Sequence, residues 1–396
     1  MADPSLLLKI KVEDLLSYGF PGAWISLERL NVLIGPNASG KSNLLEALAV
    51  LRAATTDLPG ALRDGGGMSE YLHKGASNST GATLQVIVAN STSAAHPVLH
   101  YFLGVWNANG RAAVSGEHIE VNPPAEDGIG EPLYRFDGMD SVIRAALGPI
   151  PTLVPTGDQF RRDQSILAQR RDPTVYPEVT YLAEQFSRIQ LFPGADVGRG
   201  SAVRRPQPTD LPNEFLLPDA SNLGLILHDL SQTSARRDEV SAYLRKFYEN
   251  ARHVTTKITG GTLQLYIEEE GGKLIPATRL SDGTLRYLCL LAILLHPNPP
   301  PVIGIEEPEL GLHPDILPTI AELLRKASDR TQLFVTTHSD TLVSALSGTP
   351  ECILVCESTP DGTTMKRLEA EPLREWLEKY SLGEIWRMGE IGGNRW

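Results

Sequence analysis

Eight residues, Gly35-Pro36-Asn37-Ala38-Ser39-Gly40-Lys41-Ser42, follow the pattern G-x-x-x-x-G-K-[ST]. Glycines at this spacing let the backbone curl until successive N–H groups point at one anion. A helix starting directly afterwards adds the positive end of its dipole. Lys41 then reaches the β- and γ-phosphates of a nucleoside triphosphate, and the Ser42 hydroxyl suits a bound Mg²⁺. Three further groupings carry chemistry. In Val302-Ile303-Gly304-Ile305-Glu306-Glu307-Pro308-Glu309 an apolar run ends in two adjacent carboxylates. One can hold Mg²⁺ and the other can polarise an attacking water. In Leu280-Ser281-Asp282-Gly283-Thr284 a serine opens an apolar helix, which makes a second anion site from a hydroxyl, a glycine and free amides. In Phe334-Val335-Thr336-Thr337-His338-Ser339 a strand ends in a histidine able to hydrogen-bond a phosphate or orient water.

The last three have plainer readings when taken singly: solvated glutamates, a helix cap and a structural histidine. Their positioning elements argue otherwise. Leu30 to Ile34 is a short buried strand running into the glycine turn, and Ser42 to Arg52 has helical periodicity through leucines 44, 45, 48 and 51. Leu6 to Val12 alternates as a strand. Residues 83–122 hold short strand-like runs separated by Gly, Asn and Ser, an antiparallel sheet with hairpins. Residues 123–220 turn rich in Pro and Gly, with helical segments such as Val179 to Ile189 and the arginine pairs Arg161–Arg162, Arg170–Arg171 and Arg204–Arg205. Helical pattern returns at Glu239 to Glu249, and strand pattern at Val254 to Glu268 around a Gly260-Gly261 turn. From Ser281 onward helices alternate with strands at 302–305, 332–336 and 352–356, the order of a parallel sheet covered by helices. The expected class is α/β, a P-loop NTPase with a parallel core sheet, an antiparallel β subdomain and an inserted helical lobe. The expected parts are residues 1–135, 136–250 and 251–396.

Bulk composition narrows the function. With 396 residues, 41% hydrophobic, the chain can bury a large core. Its net charge of −12 excludes coating nucleic acid with the whole surface, so any DNA contact needs a local patch. Cys289, Cys352 and Cys356 have no zinc-site spacing and read as free thiols of a reduced compartment. No basic start with an apolar core opens the chain, and no apolar stretch approaches the roughly 20 residues that span a bilayer. A cytoplasmic location without membrane partners is expected.

The order of these motifs resembles the ABC-like ATPases of the SMC and RecF group, and especially the ATPase part of the OLD (overcoming lysogenization defect) group of AAA-type ATPases. The segments that carry the resemblance are LNVLIGPNASGKSNLLEAL (30–48), LSDGTLRYLCLLAILL (280–295), IGIEEPELGLHP (303–314) and FVTTHSDTLVSAL (334–346). The tail YSLGEIWRMGEIGGNRW (380–396) adds weaker support. The resemblance implies a composite ATP site in a homodimer. Asn37, Gly40, Lys41, Ser42 and Asn43 would wrap the phosphates, with Gly35, Ala38 and Ser39 in the same loop. Ser281 and Gly283 would cap the γ-phosphate from the opposite subunit. Glu306 takes the Mg²⁺-side acidic position, Glu307 that of the catalytic base, and His338 that of the switch histidine. Glu309 to His313 matches the loop crossing the dimer interface. The glutamine that contacts Mg²⁺ would be Gln164, with Gln169 as alternative; an adenine-stacking aromatic would be Tyr18 or Phe20.

The signature here is LSDGT rather than LSGGQ, and the acidic strand ends Glu-Glu rather than Asp-Glu. The implied partners are ATP, Mg²⁺, a second copy, DNA met through the six arginines, and a separate nuclease or effector chain, because the short stretch after His338 leaves no room for a Toprim domain. DNA repair or anti-phage defence is the implied setting. Alternatives are a nucleotide-gated clamp with little turnover, a transporter's nucleotide-binding subunit, which the LSDGT signature and the long interval from Ser42 to Ser281 disfavour, and a P-loop kinase, which has no use for Ser281, Gly283 or His338.

Overall fold

The alternation of residues 83–122 builds one broad antiparallel sheet. A computed structural model of the chain describes residues 5–75, 79–121, 131–145, 152–155, 160–194 and 196–393. Two compact units emerge: residues 1–189, 351–368 and 391–396 form the first, and 190–350 with 369–390 the second.

In the first unit eight strands lie in the order Ile25–Ser26, Leu7–Glu13, Gly81–Ala89, Val98–Ala108, Arg111–Val121, Glu131–Phe136, Ser141–Ala145 and Thr152–Pro155. All neighbours are antiparallel. Side chains alternate faces along a strand, so Ala82, Leu84, Val86 and Val88 are buried while the residues between them are not. The register sets Val86 opposite Tyr101, Tyr101 opposite Ile119, Ile119 opposite Tyr134 and Tyr134 opposite Ile143, a buried row across the sheet. Asn109 and Gly110, both at positive φ, close a two-residue hairpin whose twist matches its strands.

The sheet extends further than the hairpins expected at 83–122. Glu131–Phe136, Ser141–Ala145 and Thr152–Pro155 add three strands in the Pro- and Gly-rich stretch read as the start of a helical lobe. They are four to six residues long: Glu131–Phe136 pairs with the long strand Arg111–Val121, and Ser141–Ala145 and Thr152–Pro155 are added in turn beyond it, so pairing rather than a local pattern sets their conformation. Residues 123–130, 146–151, 156–159 and 195 of that stretch lie outside the described residues. Beside this sheet, strand Leu30–Ile34 pairs in parallel with Ile353–Thr359, which forms a hairpin with Gly362–Arg367. Helix Lys41–Ala54 buries Leu44, Leu45, Ala47, Leu48 and Leu51, the periodic face seen in the sequence.

The second unit holds three parallel strands, Gln190–Phe192, Val302–Glu306 and Gln332–Thr336, in that spatial order. Helices Asp282–Leu294 and Leu317–Ser328 fill the crossovers, and Asp340–Ser344 follows the last strand. Helices Leu223–Leu230 and Ser234–Phe247 precede a hairpin of Ala251–Thr259 and Thr262–Glu269, turned by Gly260 and Gly261 at positive φ. The helical segments of the expected inserted lobe are shared: Pro177–Ser187 belongs to the first unit, Leu223–Leu230 and Ser234–Phe247 to the second. Helices Ala370–Leu377 and Leu382–Met388 complete the second unit, the latter opened by a Ser381–Glu384 capping box. Among the described residues no helix is long and apolar enough to cross a membrane.

Candidate functional site

The glycine turn is built so that only glycine fits at its ends. Gly35 has φ 148°, and an added Cβ would lie 2.2 Å from the Cys356 carbonyl oxygen. Gly40 has φ 91° and would place a Cβ 2.2 Å from Thr363 Oγ1 and 2.6 Å from Ser17 Oγ. Tyr18 donates its hydroxyl to the Gly40 carbonyl at 3.1 Å, which fixes the end of the turn. Ala38, at φ 63°, completes the curl. Lys41 is buried and donates to the Gly35 and Pro36 carbonyls at 2.9 and 2.8 Å, holding the loop over its own ammonium.

This loop fits a phosphate chain. Helix Lys41–Ala54 begins with no side-chain cap and no acidic residue in its first turn, so its leading amides are open to an anion. Ser39 Oγ is buried with no hydrogen-bond partner among the described residues, the kind of orphaned group a ligand oxygen satisfies. Asn37, Ala38 and Ser42 are exposed and Asn43 half-buried. No cluster of three or more His, Cys, Asp or Glu able to hold a metal occurs among the described residues. Mg²⁺ bound with a triphosphate does not require one, since it keeps waters and takes one or two carboxylates beside phosphate oxygens.

Also in the first unit, the loop from Arg161 to Gln169 is tied shut by Gln169. Its amide accepts from Arg161 N at 2.7 Å and donates to the Arg161 and Gln164 carbonyls at 2.9 Å. That commits Gln169 to structure, while the half-buried Gln164 side chain has no hydrogen-bond partner among the described residues. Beneath the loop, Glu117 is fully buried and accepts from Tyr101 OH, Ser165 Oγ and Ile166 N. Burial pushes its carboxyl up to about 7 against the pull of those donors. No motif pointed to Glu117; alternation alone would place it on the core face, where a carboxylate is unusual. Tyr18 is buried and engaged with Gly40, so it cannot stack on a base, whereas Phe20 is 67% exposed.

The arginines do not form a free cationic row. Arg161 pairs with Asp163 at 3.0 Å, Arg170 donates to the Gln169 carbonyl, and Arg171 to the Thr55 and Leu167 carbonyls. Arg205 donates to the Gly200 carbonyl, and Arg204 is buried. Arg162 is exposed, with no partner among the described residues. The expectation of phosphate contacts at Arg204 is overturned: its guanidinium is used inside the fold.

In the second unit the two parallel strands carry their functional ends side by side. Glu306 is in register with Thr336, so the residues that follow each strand meet. Glu307 adopts φ 43°, a left-handed conformation rare for a residue with a Cβ. Its amide is held by the Thr336 carbonyl at 3.0 Å and Thr336 Oγ1 at 3.3 Å. His338 Nε2 stands 3.7 Å from Glu307 Oε1, each side chain about one third exposed. Glu309 Oε1 accepts from Thr337 Oγ1 at 2.7 Å and from His338 N at 2.8 Å, anchoring the histidine loop. Against the carboxylates lies a shallow, mostly apolar cleft, lined among others by Phe192, Arg286, Cys289 and Leu310.

Ser281 caps helix Asp282–Leu294 by accepting from Thr284 N at 3.0 Å. A Cβ at Gly283 would sit 2.8 Å from the Gly311 carbonyl oxygen, so this glycine serves close approach to the 309–313 loop. Asp282 pairs with Arg204, a contact that sequence spacing could not reveal because 78 positions separate them.

A family model described as "AAA domain, putative AbiEii toxin, Type IV TA system" matches residues 30–84 and 158–344, more than half of the chain. Among solved structures, the SMC head bound to the C-winged helix domain of ScpA shares 14% identity at TM-score 0.58, covering 93% of this chain and 99% of that one. The SMC head from Pyrococcus furiosus, with an extended coiled coil and bound to the C-terminal domain of ScpA, shares 13% at TM-score 0.59, covering 94% and 99%. The SMC head with a coiled coil and joint from Pyrococcus yayanosii shares 12% at 0.52, again covering 94% and 99%. No curated protein matches the chain. With a glycine turn built for phosphate, paired strand ends and this match, the chain belongs to that AAA domain family and has the fold of an SMC head ATPase.

Proposed function

We propose that the protein hydrolyses ATP, with two copies closing around the nucleotide, and that this cycle drives or regulates a partner in DNA processing or anti-phage defence. The turn Gly35–Ser42 and Asn43 wrap the phosphates of one copy, and Ser281 with Gly283 of the other copy faces the γ-phosphate. Ser42, Glu306 and Gln164 are the residues that would hold Mg²⁺, which would supply neutralisation of phosphate charge. Water attacks the γ-phosphorus, its proton passes to the Glu307 carboxylate, and the bond to the β–γ bridging oxygen breaks to release ADP and phosphate. His338 hydrogen-bonds the γ-phosphate and keeps Glu307 aimed. An SMC head bound to a ScpA domain makes a protein partner on this fold reasonable.

The observation that carries the reading is Glu307, held at φ 43° by Thr336 and 3.7 Å from His338. Non-glycine residues in such conformations concentrate at functional sites. The test compares nucleotide binding and phosphate release in wild type, Lys41→Ala and Glu307→Gln. Lys41→Ala loses nucleotide affinity on the order of a hundredfold, as expected for a lost charge-assisted contact. Glu307→Gln keeps affinity but slows release at least about a hundredfold. Release at the wild-type rate in Glu307→Gln would favour a clamp with incidental turnover.

A further inference from the structure

Resting on the proposed function, we propose that Arg204 is the positioning residue of the signature turn, and that its charge cancels Asp282 beside the anion site Ser281 and Gly283 offer. A carboxylate in the first turn of a helix is ordinarily favourable. Here it stands next to the serine meant for a triphosphate, where uncompensated negative charge repels the ligand. LSDGT therefore needs a cation that LSGGQ does not.

Arg204 supplies it. Its side chain is 6% exposed while that of Asp282 is 65% exposed, and Nη2 bonds Asp282 Oδ1 directly. Nη1 donates to the Ala277 carbonyl at 3.1 Å and the Leu280 carbonyl at 2.7 Å. Nε donates to Val197 O at 2.7 Å and Gly198 O at 3.1 Å, which ties the fork to its own loop. The carbonyls of Ala277 and Leu280 bracket the 3₁₀ turn Ala277–Arg279, directly before Ser281. Fixing the Leu280 carbonyl fixes the peptide leading into the Ser281 cap. On its other side the turn touches Gly311 through Gly283, so it is held from two directions. A lysine lacks the planar fork and cannot satisfy these acceptors together.

The experiment uses the full chain in a Glu307→Gln background, with ATP and Mg²⁺. It compares no further change, Arg204→Met, Arg204→Lys and Arg204→Met with Asp282→Asn. Sedimentation velocity gives the protein concentration at half-dimerisation. Titration with a fluorescent ATP analogue at dilute protein gives affinity for the single chain, and a melt reports folding. Arg204→Met raises the half-dimerisation concentration about tenfold or more, the scale of one charged hydrogen bond, while single-chain affinity stays within about twofold. Adding Asp282→Asn recovers most of the loss, a rescue that a merely structural arginine would not give. Arg204→Lys, which keeps the charge and loses the fork, falls between, and decides the matter if Arg204→Met melts early. The inference is overturned by an Arg204→Met or Arg204→Lys protein that dimerises like its parent, by single-chain affinity falling in step with dimerisation, or by no recovery with Asp282→Asn. Absence of ATP-driven dimers in the parent itself overturns the proposed function first, and this inference with it.

Discussion

Among the described residues Glu117 meets no cation within its bonded shell; the hydroxyls of Tyr101 and Ser165 and the Ile166 amide donate to it. Desolvation dominates, and the carboxyl rises from 4.5 to about 7. The folded protein thus holds this proton to higher pH than the unfolded chain does. The stability linked to it is complete below about 4.5 and is lost as pH rises through about 7. The difference corresponds to something on the order of 3 kcal/mol. Tyr134, on the neighbouring strand, also feels the Glu117 charge, and its own hydroxyl is held protonated throughout by burial. Thermal melts of wild type and Glu117→Gln between pH 5 and 8 check this. The advantage of wild type should shrink up to about pH 7 and level off above it, and a gap constant over the whole range would show that Glu117 does not titrate there. At this scale the motif residues were legible because phosphate chemistry prescribes residue type and spacing. Glu117, Arg204 and Thr336 were not, since each acts through a partner far away in the chain.

The signature helix Asp282–Leu294 shows what an element reveals of itself. Its run LRYLCLLAILL is apolar on all sides, and a helix of that kind must be enclosed. From Thr284 to Leu294 only Arg286 escapes burial. Leu288, at 0% exposure, should lose about 2–5 kcal/mol on Leu288→Ala, read by urea denaturation. Ser281→Ala should lose only about 1 kcal/mol, the usual worth of an N-cap. A Ser281→Ala loss as large as that of Leu288→Ala would mean the cap does more for stability than its hydrogen bonds to the Thr284 amide and hydroxyl explain. Strand Glu131–Phe136 teaches the opposite lesson. Its six residues carry a proline and two charges, and its conformation is dictated by pairing with Arg111–Val121.

For the molecule as a whole, each unit holds part of the proposed chemistry: Lys41 and Ser42 in the first, Ser281, Glu306, Glu307 and His338 in the second. If Ser281 serves the nucleotide of a twin, the ATPase rate per chain must depend on protein concentration. It should rise steeply with dilution reversed and level off once dimers dominate, as mass action requires. A rate per chain constant over a thousandfold dilution series around the dimerisation point would exclude a shared site.

What the sequence alone determined is the glycine turn and the parallel αβ order after Ser281, because periodicity and the residue types a triphosphate demands leave few solutions, while the family followed from the resemblance of whole motif segments. The tertiary structure decided which polar groups are already spent. It turned Arg204 inward to Asp282, committed Gln169 to its own loop, and gave Glu307 its left-handed backbone through Thr336. The bonds of Arg204 and Glu307 join residues distant in the chain, and even within the Gln169 loop no sequence pattern encodes which donor will find which acceptor.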